Sequence, residues 1–525
     1  MPPSLYKKVG IASLIMMASV FLSRLAGLFR EMAIAYIGGT KAAVDAYQVA
    51  FVIPEILNHI LASGFLSVTF IPIFSQYLTD GREKEGWKIF SLIMNGFGSL
   101  LIVLILISMI FTEHLVALVA PGIKDPMVIN SAVRMTRIII PAQFFFFAGG
   151  MFMAAQFAKE RFAVAALAPL VYNIGIIVGG LALGQRFGMD GFAWGVLGGA
   201  FAGNFLIQLY GAKKVGMKFE FILDFTHPEL IRYIKLTLPL MIGLGMAFST
   251  EFFFKFFGSW LPEGSIAALN YALRIMFMLV AFFGQAVGVA SFPFMARLAA
   301  ENQVDEMNRL LNRTLRYLSL VIPLSVLLMV LRHEVILILF QRGKFDAQAT
   351  QLTASLLIFL LTGAVAFAWQ TVVVRGYYAM QNTLFPAIFS TLAALMSIPV
   401  YLIGIHLMGI KGVALAISIS AFAQVFLLYG IWNRKTKNIK SKRVYIFTGK
   451  MALCSIIIFF FLEIIKKYLV SFIDPATFFG SLFVSIIIGL LFAAIFAGLG
   501  FFFKIEEIGD LWGRVAKKAR IAKRK

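Results

Sequence analysis

About fourteen stretches of this chain are apolar over a length that crosses a bilayer. They fall near 9–36, 46–78, 87–112, 130–158, 162–184, 190–212, 229–257, 265–298, 309–331, 350–380, 384–408, 411–433, 445–468 and 477–504. A segment inside hydrocarbon must satisfy its backbone hydrogen bonds internally, so the predicted fold is all-α, a polytopic membrane protein of about 14 transmembrane helices. Several windows exceed the roughly twenty residues needed, which predicts tilting or protrusion. Composition agrees: 60% of the 525 residues are hydrophobic, where soluble domains hold roughly 45–50%. The first stretch follows Lys7-Lys8 as a signal peptide would. It is long, carries arginines and lacks a small-residue cleavage site, so it is expected to be an uncleaved first helix.

The net charge of +22 suggests nucleic acid until the basic residues are placed. They gather in short segments between the windows: Lys213, Lys214 and Lys218; Arg309, Arg313 and Arg316; Arg434 to Arg443; and Arg514 to Lys525. These alternate segments face the cytoplasm if the N-terminus does, and an even helix count then puts both termini inside. The high isoelectric point needs no nucleic-acid partner. The terminal run LWGRVAKKARIAKRK is either a basic amphipathic helix on anionic phospholipids or a solvated tail.

Sliding the chain on itself by about 221 residues aligns several anchors at once. FIPIF at 70–74 meets SFPFM, pairing Pro72 with Pro293; PGIKD at 121–125 meets RGKFD, pairing Gly122 with Gly343 and Asp125 with Asp346. Ala158 falls on Ala379 and Gly191 on Gly412. A shift of six helices preserves orientation, so the chain divides into two parallel six-helix lobes, as in transporters with parallel repeats. The expected segments are 1–214, 215–434, two additional helices in 435–504, and a basic cytoplasmic tail at 505–525. Gly191, Gly195, Gly199 and Gly203, with Gly175 and Gly179, make a small-residue ladder suited to close helix packing.

Chemistry for an enzyme is lacking in the sequence. There is no GxxxxGK[ST] loop, the five histidines are scattered, and Cys454 is the single cysteine, so neither a nucleotide motor nor a metal cluster nor an intramolecular disulfide is expected. The outer loops are too short for a catalytic domain. A transporter without a cofactor is the expectation, and a membrane glycan polymerase or ligase fits poorly.

The ionisable residues inside the windows remain. The stretch from Arg24 to His59 holds Arg24, Arg30, Glu31, Asp45, Glu55, Asn58 and His59, and Glu251, Lys255, Arg274 and Arg375 follow later. A charge at the bilayer centre costs roughly 2.5–3.5 kcal/mol on insertion scales, so such residues face a bundle interior or a watery cavity. Internal salt bridges, such as Arg30 with Asp45, are the alternative use. Glu251 and Lys255 are four apart on one helix face and most simply neutralise each other. Glu55, His59 and Ser63 form one stripe with Asn58 alongside. Arg24, Arg30 and Arg274 come from both lobes, and a guanidinium pairs bidentately with phosphate and stays charged. An anionic, phosphate-bearing substrate follows.

SRLAGLFRE, VDAYQVAFVIPEIL, LFQRGKFDAQAT and RGYYAMQNTLFP together resemble the lipid II flippase family MurJ (also called MviN), of the multidrug, oligosaccharidyl-lipid and polysaccharide exporter superfamily. The resemblance runs over roughly 5–505. It implies fourteen helices, two lobes forming a V around a cationic central cavity, and a lipid-tail groove on the last two helices. It implies a bacterial inner-membrane flippase that carries undecaprenyl-diphosphate-linked peptidoglycan precursor to the periplasmic leaflet by alternating access. The family's cavity arginines carry over onto Arg24, Arg30 and Arg274 and its second-helix aspartate onto Asp45. Glu31, Glu55, Ser63, Glu251, Lys255 and Arg375 are further cavity candidates. The sequence departs from the family where an arginine pair is common and Asn58 and His59 stand here, where Ser63 replaces a glutamate, and where Leu273 replaces an aspartate. A flippase for another polyprenyl-linked glycan, or a cation-coupled drug exporter of the superfamily, are the competing expectations. Coupling to the membrane potential or a monovalent cation is expected as the energy source.

Overall fold

A computed structural model describes residues 3–61, 69–241 and 246–502, and every regular element among them is helical. Among the described residues ten helices are long and apolar enough to cross a membrane, or eleven if one bent pair counts as a single span. The chain is thus an all-α, polytopic membrane protein.

Several expected spans are interrupted, two of them for a clear local reason. The second predicted helix is Ala42–Ala50 followed by Val52–Leu61, with Ile71–Thr79 later in the same window. Pro54 supplies no N–H and its ring crowds the carbonyl four residues back, at Ala50, so the helix breaks at Phe51. The tenth is Ala347–Thr362 and Ala364–Ala379, bent by 44° at Gly363. A side chain at Gly363 would collide with Ser418, so glycine lets the bend sit against that helix.

Contacts within the chain form two compact units, the first from described residues of Met1–Gly243, Glu251–Ala267 and Arg342–Asp346, and the second from the remainder. In the first, Ala168–Phe187 and Asp190–Gly199 pack backbone to backbone. The glycine ladder does this: a Cβ on Gly175 would fall on Gly199, and one on Gly179 on Gly195. An aromatic cluster of Phe70, Phe74, Trp87 and Phe90 fills the interior beside the Glu83 end of Glu83–Ile110.

In the second unit the helix Val304–Leu318 is sharply amphipathic. Its polar positions reach inward as well: Asn308 accepts from the Trp432 indole at 2.8 Å, and Asn312 accepts from the Tyr429 hydroxyl at 2.6 Å. Lys442–Val470 and Phe478–Phe502 bury Ile458, Leu462, Val484 and Ile488 with Val326 and Val330. Two ion pairs, Arg332 with Glu463 at 2.6 Å and Lys466 with Glu334 at 2.7 Å, tie Lys442–Val470 to Arg332–Phe340.

The repeat offset recurs in the backbone. Left-handed residues come in pairs at that spacing: Gly81 with Asn302, Glu160 with Gln381, Gly188 with Gly409, and Gly216 with Lys437. Gly188 and Gly409 share φ 57 and ψ −130. Three of these pairs keep the conformation while losing glycine on one or both sides, so the turn geometry persists where the sequence likeness has faded.

Candidate functional site

The first unit gathers most of the predicted ionisable residues, in three arrangements. On the first helix, Pro3–Gly38, Arg30 donates through Nη2 to Glu31 at 2.7 Å and through Nη1 to Asn173 Oδ1 at 3.0 Å. Asn173 donates in turn to the Pro169 carbonyl at 2.8 Å, which fixes its amide. Glu31 is buried, whereas the Arg30 side chain keeps 22% of its surface exposed. Among the described residues two of the five guanidinium N–H groups are engaged, so three remain for an anion. Arg24 lies exposed on the same helix.

The second arrangement centres on Lys255, whose side chain is only 1% exposed. Its ammonium meets Glu55 at 2.9 Å and Glu251 at 3.6 Å. The expected pairing with Glu251 is present, but the shorter contact is to Glu55 on the second predicted helix. The Tyr172 hydroxyl lies within electrostatic reach of both Arg30 and Glu55, so the two arrangements border one region of the unit. Asn58 and His59 follow Glu55 on Val52–Leu61 and are half-buried. Ser63 lies outside the described residues, as does the basic tail.

Asp45 forms the third. It is 6% exposed, and its two carboxylate oxygens accept from the backbone N–H of Gly264 at 2.6 Å and Ala267 at 2.8 Å. Gly264 immediately precedes Ser265–Val280 and Ala267 lies in its first turn, so Asp45 caps that helix from a distance. It does not bond Arg30. Gly264 has φ +82 and lies against the Thr40 carbonyl, where a Cβ would not fit. The Lys344 N–H also donates to the Tyr36 carbonyl at 2.9 Å, so the far end of the first helix holds segments from distant parts of the chain.

Arg274 and Arg375 belong to the second unit. Arg274 is half-buried on Ser265–Val280, nine positions after Ser265. The Arg375 guanidinium packs over Gly288, in space that a side chain there would fill. Among the described residues no group of three or more His, Cys, Asp or Glu side chains could hold a metal ion.

The sequence analysis missed Asn173 and Tyr172. Their signal was present: APLVYNIGIIVGG is apolar save for those two polar side chains.

Bilayer-length helices, a repeat offset that recurs in the backbone, and paired and half-paired charges gathered inside one compact unit define a polytopic membrane transporter. The comparisons agree. The family model described as lipid II flippase MurJ matches residues 34–480. A Bdellovibrio bacteriovorus protein named a probable lipid II flippase MurJ is 27% identical over 443 residues, covering 83% of this chain and 84% of its own. One of the same name from Buchnera aphidicola subsp. Schizaphis graminum is 28% identical, covering 88% of this chain and 89% of its own. Among solved structures, a lipid II flippase MurJ in an inward closed conformation superposes with a TM-score of 0.74 at 25% identity, covering 92% of this chain and 98% of that one. An inward-facing multidrug resistance MATE transporter of the MOP superfamily shares the fold, with a TM-score of 0.65 at 16% identity over 82% of this chain and 99% of its own. The chain belongs to the lipid II flippase MurJ family. It is accordingly a multi-pass protein of the bacterial inner membrane.

Proposed function

We propose that this protein is a flippase that moves lipid II, the undecaprenyl-diphosphate-linked peptidoglycan precursor, from the cytoplasmic to the periplasmic leaflet by alternating access. The observation that carries this reading is Arg30, a guanidinium oriented by Glu31 and Asn173 with donors to spare in a family whose relatives are named for lipid II. Arg24 and Arg30 in the first unit and Arg274 in the second are the proposed diphosphate ligands, because arginine matches phosphate bidentately without losing its charge. The proposed division is 1–214 and 215–434 as the two lobes, with 435–504 bearing the lipid tail. Both termini are proposed to be cytoplasmic, with the basic tail 505–525 on anionic headgroups. Expression in a strain depleted of its own lipid II flippase tests the function: growth and rod or coccal shape are expected to recover. Lysis at the depleted rate, with the protein present in the membrane, rejects it.

One further reading has a specific observation behind it. Asn58 and His59 stand where the family commonly carries arginines, which favours a polyprenyl-linked glycan of different headgroup; failure to rescue that strain while restoring one lacking another glycan flippase would select it.

No cofactor is proposed. The energy source is proposed to be the membrane potential, negative inside. A doubly negative headgroup moving outward uncompensated gains roughly 4–5 kcal/mol at 100 mV. Collapse of the potential by a potassium ionophore is expected to slow translocation at least tenfold; unchanged flux removes the proposal.

A further inference from the structure

We propose that a groove on the outer surface of the first unit binds the phosphate of an anionic glycerophospholipid, with Arg137 as its principal ligand. The groove encloses about 570 Å³ and is lined by Met109, Val133, Arg134, Arg137, Trp194 and Leu197. Its walls come from Glu83–Ile110, Pro126–Ile139 and Asp190–Gly199, all in one unit.

The case rests on a charge with no carboxylate partner among the described residues, at membrane depth. Arg137 belongs to the membrane span Pro126–Ala158 and is exposed. At 1.5 Å per residue it sits about 16 Å along the helix from Pro126. Its Nε donates to the Met109 carbonyl at 3.3 Å, and among the described residues no carboxylate pairs with it. Arg134, one turn nearer the helix start, is neutralised by Asp190 at 2.6 Å. The groove therefore carries one net positive charge, with both terminal nitrogens of Arg137 available.

Its surroundings face lipid. Leu106 and Ile110 on one flank and Phe201 beyond the other are exposed, at 54%, 71% and 41%. Trp194 is exposed as well, in the amphipathic role indoles take near headgroups. A bare arginine beside hydrocarbon costs several kcal/mol on any scale, and it is relieved by reaching toward the interface and meeting a phosphate there. Arginine's planar fork suits a phosphodiester, while Val133 and Leu197 offer apolar surface to the acyl chains. With the orientation proposed above, this lipid sits in the outer leaflet.

The test uses the full-length protein, purified in detergent and stripped of lipid, then titrated with phosphatidylglycerol under native mass spectrometry. Arg137→Gln is expected to weaken the tightest phosphatidylglycerol adduct at least tenfold, and Arg137→Lys by less. Diacylglycerol is expected to show no such adduct. A phosphatidylglycerol with a photoreactive acyl chain, applied to the wild-type protein, is expected to label peptides within 126–141 or 190–199; this arm is independent of any variant's folding. Equal affinity in Arg137→Gln, or labelling confined to other helices, overturns the proposal. Competition by inorganic phosphate at matched concentration would assign the groove to a free anion and overturn the lipid assignment.

Discussion

Arg30→Ala is expected to abolish rescue of a strain depleted of its lipid II flippase, lowering plating efficiency by at least a hundredfold while the protein reaches the membrane at normal levels. Two effects combine. The substitution removes the donors available to a diphosphate, each charge-assisted bond contributing about 1.5–3 kcal/mol. It also removes the ion pair that Arg30 makes with the buried Glu31 carboxylate. Arg30→Lys separates the two: the ammonium keeps Glu31 paired but loses the fork, so membrane levels are expected to hold while rescue falls by roughly tenfold. Asn173→Ala removes only the bond that orients Nη1 and is expected to reduce rescue less than Arg30→Lys. Wild-type plating by Arg30→Ala at normal protein level would make Arg30 a structural residue.

Lys255→Met is expected to give the largest loss of stability. Removing one partner of a buried ion pair costs about 3–5 kcal/mol, reduced here because Glu55 retains 35% exposure. Two carboxylates, Glu55 and Glu251, are left facing the vacated position. The apparent Tm of the detergent-purified protein should fall by several degrees. The geometry also says which second change repairs it. Glu55→Gln should restore most of the loss, and Glu251→Gln less, because Glu55 is the nearer partner. The opposite order of suppression would return Lys255 to the local pair within its own helix.

Those two predictions mark where the sequence was enough and where it was not. Spans, repeat and charges were legible because each is a property of composition along one dimension. Bilayer thickness dictates the length of an apolar stretch, and the repeat left anchors such as Pro72 and Pro293 at one offset. The glycine ladder was legible because spacing alone puts Gly191, Gly195 and Gly199 on one face, and the neighbouring helix does pack there. The break at Phe51 was written in Pro54, although hydropathy averaged over it.

Partners were a different matter. Periodicity gave Lys255 a neighbour four residues away, but helix rotation brings Glu55, two hundred positions earlier, closer still. Asp45 could be seen as a costly charge, yet nothing local reveals that its oxygens cap a helix starting at Ser265. Asn173 looked like one polar residue in an apolar helix until packing set it against Arg30. By itself the sequence determined that this is a membrane-spanning, internally repeated helical protein whose first helices hold charges too expensive to lie in lipid. Only the tertiary structure decided how each charge is satisfied. A side chain's partner depends on the rotation and depth of two packed helices, which close packing sets and one-dimensional spacing does not.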